Sequence, residues 1–156
     1  MEGLFHQHRD GNPLPSGKTL EEIIELSRAI LFPGYFGKSS VNISTIRYHI
    51  GVNIERMYTL LSDQIMAGLC FSCTASHEAG IPQACRCKAE TMAARLIEKL
   101  PEIRRILATD VEAAYNGDPA AENYGEIISC YPVIKALVNY RIAHELLVLG
   151  VPLIPR

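Results

Sequence analysis

The chain has 156 residues, a formal net charge of −2, and 48% hydrophobic against 21% charged residues, an ordinary balance for one domain with its own core. That charge offers no concentrated basic surface to the phosphates of DNA or RNA, so no nucleic-acid partner is expected. With no apolar run near the roughly 18 residues that span a bilayer, no signal region in MEGLFHQHRDG and five cysteines in no secreted framework, the expectation is a cytoplasmic protein without a membrane partner.

Residues 1–16 are polar and turn-rich, with Gly11, Pro13 and Pro15, and are expected as an arm docked on the body or on a neighbouring subunit. A helical domain is expected over 17–150. Leu20, Ile23, Ile24, Ser27 and Leu31 follow helical spacing and predict an amphipathic helix over 18–31. Pro33 and Gly34 break it, and Phe32, Tyr35 and Phe36 make the turn aromatic enough to be packed. Over 43–71, Ile46, Ile50, Ile54, Met57, Leu60, Leu61, Ile65 and Leu69 form the stripe of a long helix, or of two bent near Gly51.

The stretch 74–83 is expected as a loop. A helix follows over 84–100, and Pro101 suits the opening turn of another over 102–115, which Asn116 and Gly117 can close in a left-handed conformation. Asp118 and Pro119 read as a helix cap and first residue, ahead of a short helix reaching Ile128 and a longer one over 132–149. In the longer helix Ile134, Leu137, Val138, Arg141, Ile142, Glu145, Leu146 and Leu149 suggest one buried side. Gly150 caps it, and the prolines make 151–155 extended, leaving Val151, Leu153 and Ile154 with nothing after them to pack on. Alternating β-branched runs are almost absent and no repeat is found, so the fold class is all-α, with only 151–156 able to form strand.

Four stretches, HRDGNPLPS, ILFPGYFG, LPEIRRILATDVEAAYNGDPAA and the whole of 117–156, resemble the amino-terminal helical domain of serine O-acetyltransferases and its lead into a left-handed β-helix. The resemblance implies that 151–156 begin the connection to that β-helix domain, and that the chain is a truncation before any hexapeptide repeat. It implies transfer of acetyl from acetyl-CoA, the co-substrate, to the hydroxyl of L-serine, giving O-acetyl-L-serine in cysteine biosynthesis. A serine hydroxyl is a weak nucleophile, so the transfer needs a general base and donors for the developing oxyanion. The histidines and aspartates that do this in the family lie on the β-helix, so no catalytic residue is expected in this chain, which alone should be inactive. Expected partners are other copies through the helical domains, and cysteine synthase through a tail absent here.

Among individual residues, the family's Asp-Pro-Ala motif falls on Asp118, Pro119 and Ala120, and implies that Asp118 holds the amino group of the substrate; an ammonium and a carboxylate in a shielded pocket pair strongly. By itself, the Asp118–Pro119 pair reads first as a helix cap, and only the surrounding match favours the substrate role. Tyr140, Arg141 and His144 stand in YRIAH, the family's other signature here, and are expected to pack and hydrogen-bond rather than to react. Cys70, Cys73, Cys85 and Cys87 form two close pairs that could meet at one tetrahedral zinc, although the C-x-C half is unusual for zinc and buried thiols are common. Cys130 is expected in the core, His6 and His8 at the surface, and His49 on a helix flank. The rival functional reading is a stand-alone helical interaction module holding zinc through those four cysteines.

Overall fold

A computed structural model describes residues 14–37, 40–72 and 83–156. The helices are α1 (Gly17–Leu31), α2 (Ile46–Ser72), α3 (Gln83–Gly117), α4 (Tyr124–Cys130) and α5 (Pro132–Val148). The only pairing of strand type among the described residues is an isolated bridge between Pro33 and Phe36, so the all-α expectation holds. The expected arm over 1–13 and the loop over 74–82 lie outside the described residues.

α3 is the hub, packing on α1, α2, α4 and α5. Its 35 residues give it a length of about 50 Å. The expected break at Pro101 does not occur, and one helix replaces two. Ala89, Ala93, Leu96, Leu100, Ile103, Leu107 and Val111 are buried at steps of three or four, so the apolar stripe passes the proline without losing phase. An interior proline costs about 3 kcal/mol or more, whereas each buried Leu, Ile or Val contributes about 1.5–3 kcal/mol. Five such side chains from Leu96 to Val111 outweigh the break. Pro101 is also exposed, so water can satisfy the carbonyl of Ile97 that its missing N–H leaves free.

α2 runs unbroken through Gly51 and buries Met57, Leu61 and Ile65, while Tyr48 and Val52 near its start stay exposed. α1 begins at the Ser16 cap, whose side chain accepts from the Thr19 N–H, and lays Ile23, Ser27, Ile30 and Leu31 into the core. The buried Ser27 hydroxyl donates to the Ile23 carbonyl at 2.8 Å, satisfying itself within the helix. The aromatic turn is packed at Phe32 and Phe36, whose rings lie 6.3 Å apart, but Tyr35 is half exposed.

α5 buries Ile134, Val138, Ile142 and Leu146, one residue per turn, with Leu137, Arg141, Glu145 and Leu149 along the margin. Gly150 ends it as expected, at φ 75°; its N–H donates to the Leu147 carbonyl and the Val151 N–H to the Leu146 carbonyl. Gly117, in contrast, stays inside α3 and has no left-handed φ. The carboxy-terminal residues are not extended. They turn, with Leu153 at φ 63° and the Ile154 N–H donating to Pro152. Nor does this segment lack a surface to pack on: Val151 is buried in the core and Ile154 packs against it, leaving Leu153 exposed. A Cβ on the buried Gly68 of α2 would stand 3.0 Å from the Pro152 carbonyl oxygen, so glycine there admits the returning chain.

Three substitutions test these supports. Leu96→Ala should cost about 2–5 kcal/mol, read as a lower urea midpoint at unchanged slope, and a negligible loss would show that the α3 stripe does not hold the bundle. Gly150→Ala and Gly34→Ala, at φ 75° and 88° with open space around an added Cβ, should each cost about 1–2 kcal/mol for the left-handed backbone, read in the same urea titration.

Candidate functional site

The half-buried Asp118 follows directly on the last turn of α3 and does not cap a helix. Its Oδ1 accepts from the Ala120 N–H at 2.9 Å and its carbonyl from the Ala121 N–H at 3.1 Å, a local turn built on the aspartate. The cap of α4 falls five residues later, on Asn123, whose side chain accepts from the Glu126 N–H. Glu126 reaches back to accept from the Glu122 N–H at 2.8 Å. The loop 118–123 is thus held at both ends by side chains bonding to backbone, which fixes the direction of Asp118.

The other oxygen of Asp118, Oδ2, accepts a hydrogen bond from the Tyr131 hydroxyl. Sequence reading missed this partner. Tyr131 lies 13 residues away at the junction of α4 and α5, where no spacing rule links it to Asp118. The signal available in the sequence was Pro132, which forces the residue before it into an extended conformation; Tyr131 has φ −80° and ψ 120°. Donation from Tyr131, then from the Ala120 N–H, holds the Asp118 carboxyl below its ordinary range against a weaker opposing effect of burial. The same bond pushes the Tyr131 hydroxyl up to about 12.

The YRIAH residues part company. Arg141 turns towards α3, where Nε and Nη2 donate to Asp110 Oδ2 at 3.0 and 2.6 Å. It hydrogen-bonds as expected, and its partner, the Asp110 carboxylate, is a second residue that sequence reading overlooked. Tyr140 and His144 instead stack on each other at 5.9 Å on the exposed side of α5. Asp118 bonds to Tyr131 and Ala120, and neither Arg141 nor His144 shares that bonding. Pro119 is exposed and serves the turn.

Of the four cysteines expected to meet, Cys73 lies outside the described residues. Cys70 is buried, Cys85 half-buried and Cys87 exposed, and no group of three His, Cys, Asp or Glu residues among the described residues is placed to hold a metal. Cys130, expected in the core, is exposed at the end of α4, because Ile127 and Ile128 take the inward positions of that short helix. His49 lies on α2 within 3.3 Å of the Asn53 amide nitrogen. A surface cavity of about 570 Å³ opens between the aromatic turn, α3 and α4, lined among others by Phe32, Tyr35, Arg104, Tyr124 and Ile128; Asp118 is not part of it. No helix among the described residues is long and apolar enough to cross a membrane.

No protein-family model matches the chain. Over 145 residues, 92% of its length, it is 39% identical to the plasmid serine acetyltransferase of Synechococcus elongatus, of which it covers 46%. A stretch of 50 residues, 32% of the chain, is 42% identical to a Synechocystis serine acetyltransferase and covers 20% of it. Among solved structures, Entamoeba histolytica serine acetyltransferase 1 in complex with L-cysteine is similar over 100% of this chain and 50% of its own, with a TM-score of 0.67 and 32% identity. The native form of that enzyme gives 0.63 and 34% over 93% of this chain and 46% of its own. The chain therefore spans about half the length of the plasmid relative and of both structures, and less of the Synechocystis protein.

The Asp118–Tyr131 bond predicts a dependence on pH at both extremes. The folded Tyr131 keeps its proton up to about 12, whereas the unfolded phenol loses it near 10.0, so the bond's contribution is whole below pH 10.0 and is lost as pH rises towards 12. Asp118 runs the opposite way: its contribution is present above pH 3.8 and is lost as pH falls through the lowered folded value. In urea unfolding followed by circular dichroism, Tyr131→Phe should flatten the alkaline decline between pH 10 and 12 relative to the parent chain. Identical declines in the two proteins would contradict the bond.

Proposed function

From a chain that matches the amino-terminal part of serine acetyltransferases in both sequence and fold, we propose the following function. It forms the helical half of an enzyme that moves acetyl from acetyl-CoA to the L-serine hydroxyl, releasing O-acetyl-L-serine and CoA. The observation that carries this reading is the extent of the match, which covers nearly the whole helical fold rather than one motif.

In this reading the helical half has two duties. Asp118 offers an ionised carboxylate on an ordered turn, fit to pair with the substrate ammonium group. Exposed apolar side chains, Ile43, Tyr48 and Val52 around the start of α2, fit a role in assembly with further copies. The general base, the oxyanion donors and the CoA site are assigned to a β-helical half outside these residues, and so is any tail that docks on cysteine synthase. In this reading the enzyme works in the cytoplasm, drawing on L-serine and acetyl-CoA there.

The test is CoA release followed with a thiol reagent. The 156-residue chain alone should show no serine-dependent release, and rapid release from it would overturn the division of labour. In the enzyme containing this chain, Asp118→Asn should raise the KM for L-serine by about tenfold or more, the loss expected for a hydrogen bond to a charged group. The KM for acetyl-CoA should not change. An unchanged serine KM would remove Asp118 from the substrate site.

A further inference from the structure

We propose that Tyr131 is a positioning residue for the serine site, its hydroxyl holding the Asp118 carboxylate in the one orientation that meets the substrate ammonium group; this rests on the serine-site reading of Asp118. Tyr131 ends α4 and precedes α5, and its main chain is tied on both sides. Its N–H donates to the Ile127 carbonyl at 3.2 Å and its carbonyl accepts from the Ile134 N–H at 3.3 Å. Pro132 restricts its backbone to the extended form. Its ring packs against the core cluster. The hydroxyl is therefore delivered from a fixed point, anchored by two helices, to an aspartate on a third segment.

At the aspartate, one oxygen is taken by Tyr131 and the other by the Ala120 N–H. The plane of the carboxylate is then set from two directions. A carboxylate accepts at about four lone-pair positions, so two anchors still leave room for an ammonium donor. Without the hydroxyl, only the local turn to Ala120 restrains Asp118. An aspartate free to sample about three staggered wells would be competent for about a third of the time, and apparent affinity falls by that fraction. Binding is lost equally from ground and transition states, so KM rises while kcat stays.

The experiment is a cycle of Tyr131→Phe, Asp118→Asn and the double variant in the acetyl-transferring enzyme that contains the chain. Tyr131→Phe should raise the serine KM by up to about threefold at nearly constant kcat and acetyl-CoA KM. In the Asp118→Asn background it should add almost nothing, because the group it positions is gone. The acid limb of the kcat/KM profile for serine should move to higher pH in Tyr131→Phe. If Asp118→Asn raises KM and Tyr131→Phe does not, the positioning role falls and the serine site stands. If neither variant changes KM, the serine-site reading falls and takes this inference with it. Equal effects of Tyr131→Phe with and without Asp118 would show a structural role alone and overturn the proposal. Should Tyr131→Phe not fold, carbon-13 titration of the parent chain decides: a Tyr131 hydroxyl that titrates at the ordinary 10.0 rather than near 12 overturns the proposal.

Discussion

The structure depends on the unbroken apolar stripe of α3. Every other helix touches it, and its seven buried residues from Ala89 to Val111 keep one phase for more than six turns of helix. A break at Pro101 would rotate or displace the half that carries Asp110, the partner of Arg141, and leads into Asp118. Continuity therefore does more than save a few kcal/mol. It sets the distance between the start of the buried stripe at Ala89 and the end of the helix that Asp118 follows.

From that end the chain folds back through a turn held by its own side chains. Asp118, Asn123 and Glu126 each bond to backbone N–H groups of the 118–126 segment, so the turn has little conformational freedom to lose when a ligand arrives. The Arg141–Asp110 pair ties α5 to α3 about two helical turns before Asp118. Its two side chains are only about one-fifth exposed, 22% and 21%, so solvent screens the pair less than a surface ion pair. The anchoring of α5 matters to the site because α5 begins at Pro132, immediately after the tyrosine that bonds to Asp118. Rigidity at Asp118 is thus borrowed from two helices packed on the same hub.

At the other end of α5, Gly150 reverses the chain and Val151 enters the core, so the last residues belong to the bundle before they leave it. Gly68 is the complementary adjustment on α2, a missing side chain where the backbone of Pro152 passes. The prolines at 152 and 155 suggested an extended tail. The observed turn arises because burial of Val151 and the docking at Gly68 draw the chain back across α2.

The sequence by itself determined the helical class, the α1 and α5 stripes, the Gly150 stop and the serine acetyltransferase resemblance, because each is written in local spacing or in contiguous motifs. It could not decide whether Pro101 starts a helix or sits inside one, since that depends on partners that bury Leu96 and Ile103 on the same side. It placed a cap at Asp118, where the backbone rule for Asp-Pro is sound, but tertiary packing moved the helix start to Asn123 and released the carboxylate for Tyr131. The partners Tyr131 and Asp110 stayed hidden because they join residues 13 and 31 positions apart, and separations of that size are closed only by the packing of whole helices.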